Sequence, residues 1–203
     1  MTDLTCLVLN CTLKRSPAES SAELLGTQVL EAFADLGVAG SMTRVVDHDV
    51  RFGVSIDEGD GDAWPTLREQ MLGADVLVLA TPIWMGQPAS VCKMVLERLD
   101  AELSETDDDG RPLTFGKVAG IGVVGNEDGA HHVSAEVFQA LNDVGFTLPA
   151  QAATYWVGEA MQAVDFKDVS PTPEATAGTT RMLARNATHL ATLLAATPYP
   201  AAG

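Results

Sequence analysis

The stretch ADVLVLATPIWMGQPASVCKMVLERLDAEL, residues 74–103, decides how this chain is read. Its first part, DVLVLA, is short, apolar and rich in branched side chains, as a strand buried on both faces of a parallel sheet should be. Its last part carries apolar residues at helical spacing, and Pro88 suits the first position of a helix. Between them lies TPIWMGQP, residues 81–88. A plain connection needs only a few polar turn residues. Here Pro82 is expected to end the strand, Gly86 allows close backbone approach, and Trp84 and Met85 offer apolar, polarizable surface. The exit of this strand is therefore a candidate wall of a binding site.

The same strand-then-helix alternation runs outward in both directions. LTCLVLN (residues 4–10) is a first strand. SAELLGTQVLEAFADLG (21–37) repeats Leu24, Leu25, Val29, Leu30, Phe33 and Leu36 at helical spacing, with Gly37 as a stop. SMTRVV (41–46) is a short second strand, followed by the polar, Gly-rich loop DHDVRFGVSIDEGDGD (47–62) and a short helix in AWPTLREQMLGA (63–74). Beyond the central stretch come a fourth strand in GKVAGIGVVGN (116–126) and a helix in GAHHVSAEVFQALNDVG (129–145). FTLPAQAATYWVG (146–158) contains a fifth strand, and PTPEATAGTTRMLARNATHLATLLAA (171–196) carries the last helix. Five βα units of this length call for an α/β three-layer sandwich, a parallel sheet with helices on both faces. The expected organisation is one domain over residues 1–197, with residues 198–203 as a frayed tail.

In open parallel sheets, ligands bind beyond the carboxyl ends of the strands, where strand order reverses. Three loops fall there. NCTLKRSPAESS (10–21) offers the hydroxyls of Thr12, Ser16, Ser20 and Ser21, the cations Lys14 and Arg15, and the amides of a helix N-terminus, which together suit an anion. It has neither GxGxxG nor GxxxxGK[ST], so it is no dinucleotide fingerprint or P-loop. A helix cap by Ser20 or Ser21 is the simpler alternative for this segment. TPIWMGQP is the second loop, and VVGNEDGAHH (123–132) is the third, with Gly125 and Gly129 bracketing Asn126, Glu127 and Asp128. Adjacent helical residues diverge, so His131 and His132 do not form a joint metal site. The DHD at 47–49 is read as loop. A phosphate-accepting receiver domain needs acids after the first strand and at the end of the third. Asn10, Cys11, Ala80 and Thr81 stand there instead.

Composition narrows the classes. The chain has 203 residues and a formal charge of −16, which argues against broad electrostatic binding of nucleic acid. Three cysteines without a CxxC pair suit neither a disulfide framework nor a zinc site, and a reduced, cytoplasmic setting is expected. The first residues are acidic early and only briefly apolar, unlike a signal peptide. No run approaches the ~18 apolar residues a membrane span needs.

NCTLKRSPAESSAELL (10–25), TPIWMGQPASVCKMVLERLDAEL (81–103) and VVGNEDGAHHVSAEVFQALNDVGF (123–146) together resemble the flavodoxin-like NAD(P)H-dependent FMN reductases, which include NAD(P)H:quinone oxidoreductases. The likeness runs from about residue 4 to residue 157. It implies a five-stranded sheet in the order 2-1-3-4-5 and non-covalent FMN at the three loops. Thr12, Lys14, Ser20 and Ser21 then correspond to phosphate contacts. Pro82, Ile83, Trp84, Met85 and Gly86 correspond to the isoalloxazine shelf. Gly125, Asn126, Glu127, Asp128 and Gly129 correspond to the third wall, with His131 or His132 near the ring. The implied activity takes hydride from NADPH or NADH and passes electrons to a small-molecule acceptor: a quinone, a nitro or azo compound, or a flavin. No side chain is implied as catalytic acid or base, and no metal. A homodimer is implied, with residues 50–63 and 155–158 as candidate contributors. The rival is a flavodoxin-type electron carrier, which shares the fold and the acidity.

Overall fold

A computed structural model describes residues 4–159 and 162–201. Five long strands form the sheet: β1 (Thr5–Asn10), β2 (Ala39–Arg44), β3 (Val76–Trp84), β5 (Val118–Gly125) and β6 (Ala153–Val157), all parallel and ordered β2-β1-β3-β5-β6. Counting only these long strands, that is the expected order 2-1-3-4-5. The reversal of direction lies between β1 and β3. The helices are α1 (Ser21–Ala34), α2 (Trp64–Gly73), α3 (Ser90–Leu99), α4 (Ala130–Asp143) and α5 (Glu174–Ala196).

Each central strand serves two cores, because successive side chains alternate between faces. Leu7, Leu9, Leu77 and Leu79 pack with Trp64, Leu67, Val95 and Val133 under α2, α3 and α4. Cys6, Val8, Val76 and Val78 pack with Val29, Phe33 and Leu183 under α1 and α5. This two-sided burial is why the strands are almost purely apolar.

The central stretch departs from expectation in one place. Pro82 does not end the third strand: β3 continues to Trp84 and folds back antiparallel onto β4 (Gln87–Pro88), pairing Trp84 with Gln87. Pro88 accordingly lies in this short strand, and α3 starts at Ser90. The reason is position. β1 stops opposite Ala80, so beyond it β3 keeps only β5 as a neighbour, the half-open setting in which a strand proline is tolerated. Met85 and Gly86 form the two-residue turn, with φ of 54° and 73°. Positive φ at both central residues defines a type I′ hairpin turn, which matches strand twist but is strained for a non-glycine residue such as Met85.

The polar loop before α2 is ordered by one buried cation. Arg98 of α3 is fully buried and pairs with Asp62 at 2.8 Å. It also donates to the carbonyls of Arg51, Ser55 and Ile56. At the other end of the chain, the Tyr199 hydroxyl lies 2.9 Å from Thr147 Oγ1 and its ring packs on Phe115. No helix among the described residues is long and apolar enough to cross a membrane.

Candidate functional site

A cleft of about 130 Å3 opens above the carboxyl ends of β1, β3 and β5. Nine residues singled out in the sequence line it: Thr12, Lys14, Ser20 and Ser21 from the first loop, Pro82, Ile83 and Trp84 from the second, and Gly125 and Asn126 from the third. A larger apolar groove, about 630 Å3, lies between α4, the start of β6 and α5, away from these strand ends.

The first wall is the start of α1. Ser20 is its N-cap, and the Ser20 hydroxyl accepts from the Glu23 amide at 3.4 Å. The capping alternative is thus realised in a residue that also faces the cleft, since the cap fixes the helix start there. The Thr12 amide donates to Asn10 Oδ1 at 3.1 Å, and Thr12 Oγ1 accepts from the Lys14 amide at 3.3 Å. Asn10 is fully buried at the end of β1, and its Nδ2 has no partner among the described residues. A buried donor without an acceptor is unfavourable unless something supplies one. The first turn of α1 adds amides that no helical carbonyl reaches, and a dipole that favours negative charge.

The second wall is the hairpin. Ile83 is buried, but Trp84 is 52% exposed and lines the cleft, so it is not packed into the core. Met85, 90% exposed, projects from the turn. Met85, Gly86, Glu127, Asp128, Gly129 and His131 lie outside the cleft lining. Four of them join the second loop to the third. The Glu127 carboxylate accepts from the amides of Met85 and Gly86, at 3.0 and 3.2 Å. Gly129 has φ of 134°, and a Cβ there would sit 3.0 Å from Gly86 Cα and O. Asp128 accepts from the Gly129 amide at the start of α4. His131 and His132 turn to separate partners, the Tyr155 hydroxyl at 3.1 Å and Gln87 Oε1 at 3.0 Å.

Three contributors have no periodic signal in the sequence. Asp165 and Phe166, in the connection between β6 and α5, complete the cleft lining. Asp165 accepts from Asn126 Nδ2 at 3.2 Å, and the buried Phe166 packs beside Trp156. The Lys167 amide donates to Ser21 Oγ at 3.2 Å, and the Asp168 carboxylate beside its side chain raises the Lys167 pKa. An irregular segment leaves no repeat to read, so only a strap-like return over α1 reveals these residues.

Comparison with known proteins assigns the family. Residues 5–162 match the NADPH-dependent FMN reductase family. The chain belongs to that family. The 8-demethyl-8-aminoriboflavin-5'-phosphate synthase of Streptomyces davaonensis is 35% identical over 97% of this chain and 80% of its own length. A divalent metal cation transporter MntH of Mycobacterium bovis is 37% identical over 95% of this chain, which spans only 29% of that protein. The crystal structure of RosB with the bound intermediate 8-demethyl-8-formylriboflavin-5'-phosphate superposes with a TM-score of 0.88 at 34% identity, covering 97% of this chain and 82% of that one. The fold is flavodoxin-like, and family membership makes this an FMN-dependent oxidoreductase or flavin-modifying enzyme.

Proposed function

We propose that the cleft binds riboflavin 5′-phosphate (FMN) and that the protein is an NADPH- or NADH-dependent oxidoreductase serving a quinone, a nitro or azo compound, or a flavin. The observation that carries this reading is the pairing of an anion-suited helix start with the exposed face of Trp84 across one cleft. The residues present fit the group. Thr12, Ser20 and Ser21 offer hydroxyls and Lys14 a cation for a phosphate, and the buried Asn10 Nδ2, unpartnered among the described residues, offers a donor at the end of β1. The cleft is smaller than the ~300–1,000 Å3 of ordinary small-molecule sites. It suits the phosphate end, with the ring along the open shelf of Trp84 to Gly86.

When bound, FMN supplies two-electron chemistry between a nicotinamide and an acceptor. The side chains bind and orient. Trp84 shields one ring face from water, Glu127 holds the Met85–Gly86 turn in place, and Asn126 is fixed by Asp165 at the third wall. The third loop has no aromatic to close the other face, which favours a reductase with room for a nicotinamide over an electron carrier. A homodimer fits the exposed apolar side chains Phe52, Val54 and Met85, with residues 50–63 and 155–158 as candidate contributors. Light scattering of the purified protein reports it.

A second reading makes FMN the substrate and not the cofactor. It is favoured by the 35% identity to a synthase whose product is an aminoriboflavin phosphate. One experiment separates the two. FMN-loaded protein is mixed with NADPH or NADH in a stopped-flow instrument, and the flavin is then recovered and weighed by mass spectrometry. Rapid bleaching and unchanged flavin mass support the reductase. No reduction by either nucleotide sinks it, and a changed flavin mass supports the second reading.

A further inference from the structure

The phosphate-side loop, residues 12–19, has little to hold it in shape. Leu13 to Glu19 are exposed, and the backbone bond within the loop joins the Ala18 amide to the Arg15 carbonyl. Its conformation is gripped from outside, by two side chains at the exit of β2. Arg44, the last residue of β2, is 8% exposed although charged. Its guanidinium donates to the carbonyls of Lys14 at 3.2 Å and Ala18 at 3.0 Å, and pairs with Glu23 at 2.5 Å. Three residues on, Asp47 accepts from the Ser16 amide at 2.8 Å and the Ser16 hydroxyl at 2.5 Å. Neither Arg44 nor Asp47 lines the cleft, and Arg15 and Glu19 do not line it themselves but adjoin the lining residues Lys14 and Ser20.

What Arg44 does follows from peptide geometry. In a planar trans peptide the C=O and the next residue's N–H point in opposite directions. Drawing the Lys14 and Ala18 carbonyls toward Arg44 therefore turns the amides of Arg15 and Glu19 away from it. Among the described residues, neither of those amides has a protein acceptor. Guanidinium is the group for this task, because its rigid fork serves several acceptors at once and stays charged.

We propose that Arg44 is a positioning residue for phosphate recognition: it aims the amides of Arg15 and Glu19 at the phosphate of FMN, and Asp47 locks the loop between them through Ser16. This rests on the reading of the cleft as an FMN site. The role is selectivity for the phosphorylated flavin, since riboflavin has no group for these amides to bind.

The test compares FMN and riboflavin affinities by fluorescence quenching, for the intact protein and for Arg44→Ala and Arg44→Lys. Arg44→Ala should weaken FMN about ten-fold or more, the scale of a lost charge-assisted contact, and leave riboflavin unchanged. Arg44→Lys, with a single ammonium, should keep an intermediate preference. The phosphorus NMR resonance of bound FMN should shift in both. An unchanged FMN-to-riboflavin ratio in Arg44→Ala overturns the proposal. So does an equal loss for both ligands, which marks general damage. If Arg44→Ala does not fold, Arg44→Lys decides, and a wild-type ratio there overturns it. Intact protein that binds neither flavin sinks the FMN reading itself, a separate outcome from intact protein that prefers FMN through variants that prefer it equally.

Discussion

The Glu127 carboxylate accepts the backbone N–H of Met85 at 3.0 Å, reaching from the third loop to the strained turn of the second. The Gly86 amide donates to the same carboxylate at 3.2 Å. One side chain thus satisfies both central amides of the type I′ turn and sets where the shelf stands relative to β5. Glu127→Ala should lower stability by about 1 kcal/mol, the usual net worth of such bonds at a half-exposed site, and weaken FMN through a displaced shelf. Glu127→Gln keeps one acceptor and should fall between. Urea unfolding and flavin titration read the two effects separately.

Met85 holds a φ of 54° with its side chain almost wholly in solvent. Asn adopts this conformation more readily than Met. Met85→Asn should therefore raise stability by roughly 0.5–1 kcal/mol. If Met85 meets the ring, activity falls in the same variant. Thermal unfolding and NADPH turnover check both halves.

Trp84 contributes little to the core, being half exposed. Trp84→Ala should shift the melting temperature by only a few degrees and raise the Kd for FMN several-fold. A large loss of stability with intact FMN binding would refute its place on the shelf.

The second and third loops touch through backbone at Gly86 and Gly129. A Cβ at residue 129 would press on Gly86 main chain at 3.0 Å, in a conformation with φ of 134° that disfavours side chains. Gly129→Ala should destabilise by about 1–3 kcal/mol and part the loops. Calorimetry measures the first effect, and loss of FMN quenching the second.

Asp62 ties stability to pH. Burial raises the Asp62 pKa, but the amides of Glu58, Arg51 and Trp64 and the Arg98 guanidinium outweigh it and bring it from 3.8 to about 2. A carboxyl depressed in the folded state binds fewer protons there than when unfolded, so its contribution is complete above pH ~4 and is lost as pH falls toward about 2. Stability, read from acid unfolding by circular dichroism, should fall in that window. Asp62→Asn should flatten the slope there and destabilise at neutral pH, because it leaves the buried Arg98 without its countercharge.

Much of this protein was legible along the chain. Leu7, Leu9, Leu77 and Leu79 alternate with Cys6, Val8, Val76 and Val78, and alternation by twos between two buried faces is a local property of a strand. The apolar spacing of α1 and the stops at Gly37 and Gly145 are equally local, and so is the crowding of Ser, Lys, Trp and Gly at strand exits. From these came the parallel sheet and nine of the cleft residues. Tertiary structure decided the rest. Pro82 continues its strand because β1 ends beside it, a matter of neighbours and not of propensity. Asp165 and Phe166 reach the cleft from a segment without periodicity, with the Lys167 amide bonded to Ser21 beside them, and Arg44 grips Lys14 and Ala18 from thirty and twenty-six residues away. Glu127 crosses forty-two residues to Met85. Periodicity records which face of an element is buried. It carries no record of which distant carbonyl or amide a charged side chain will meet, because that depends on the closing of the whole sheet.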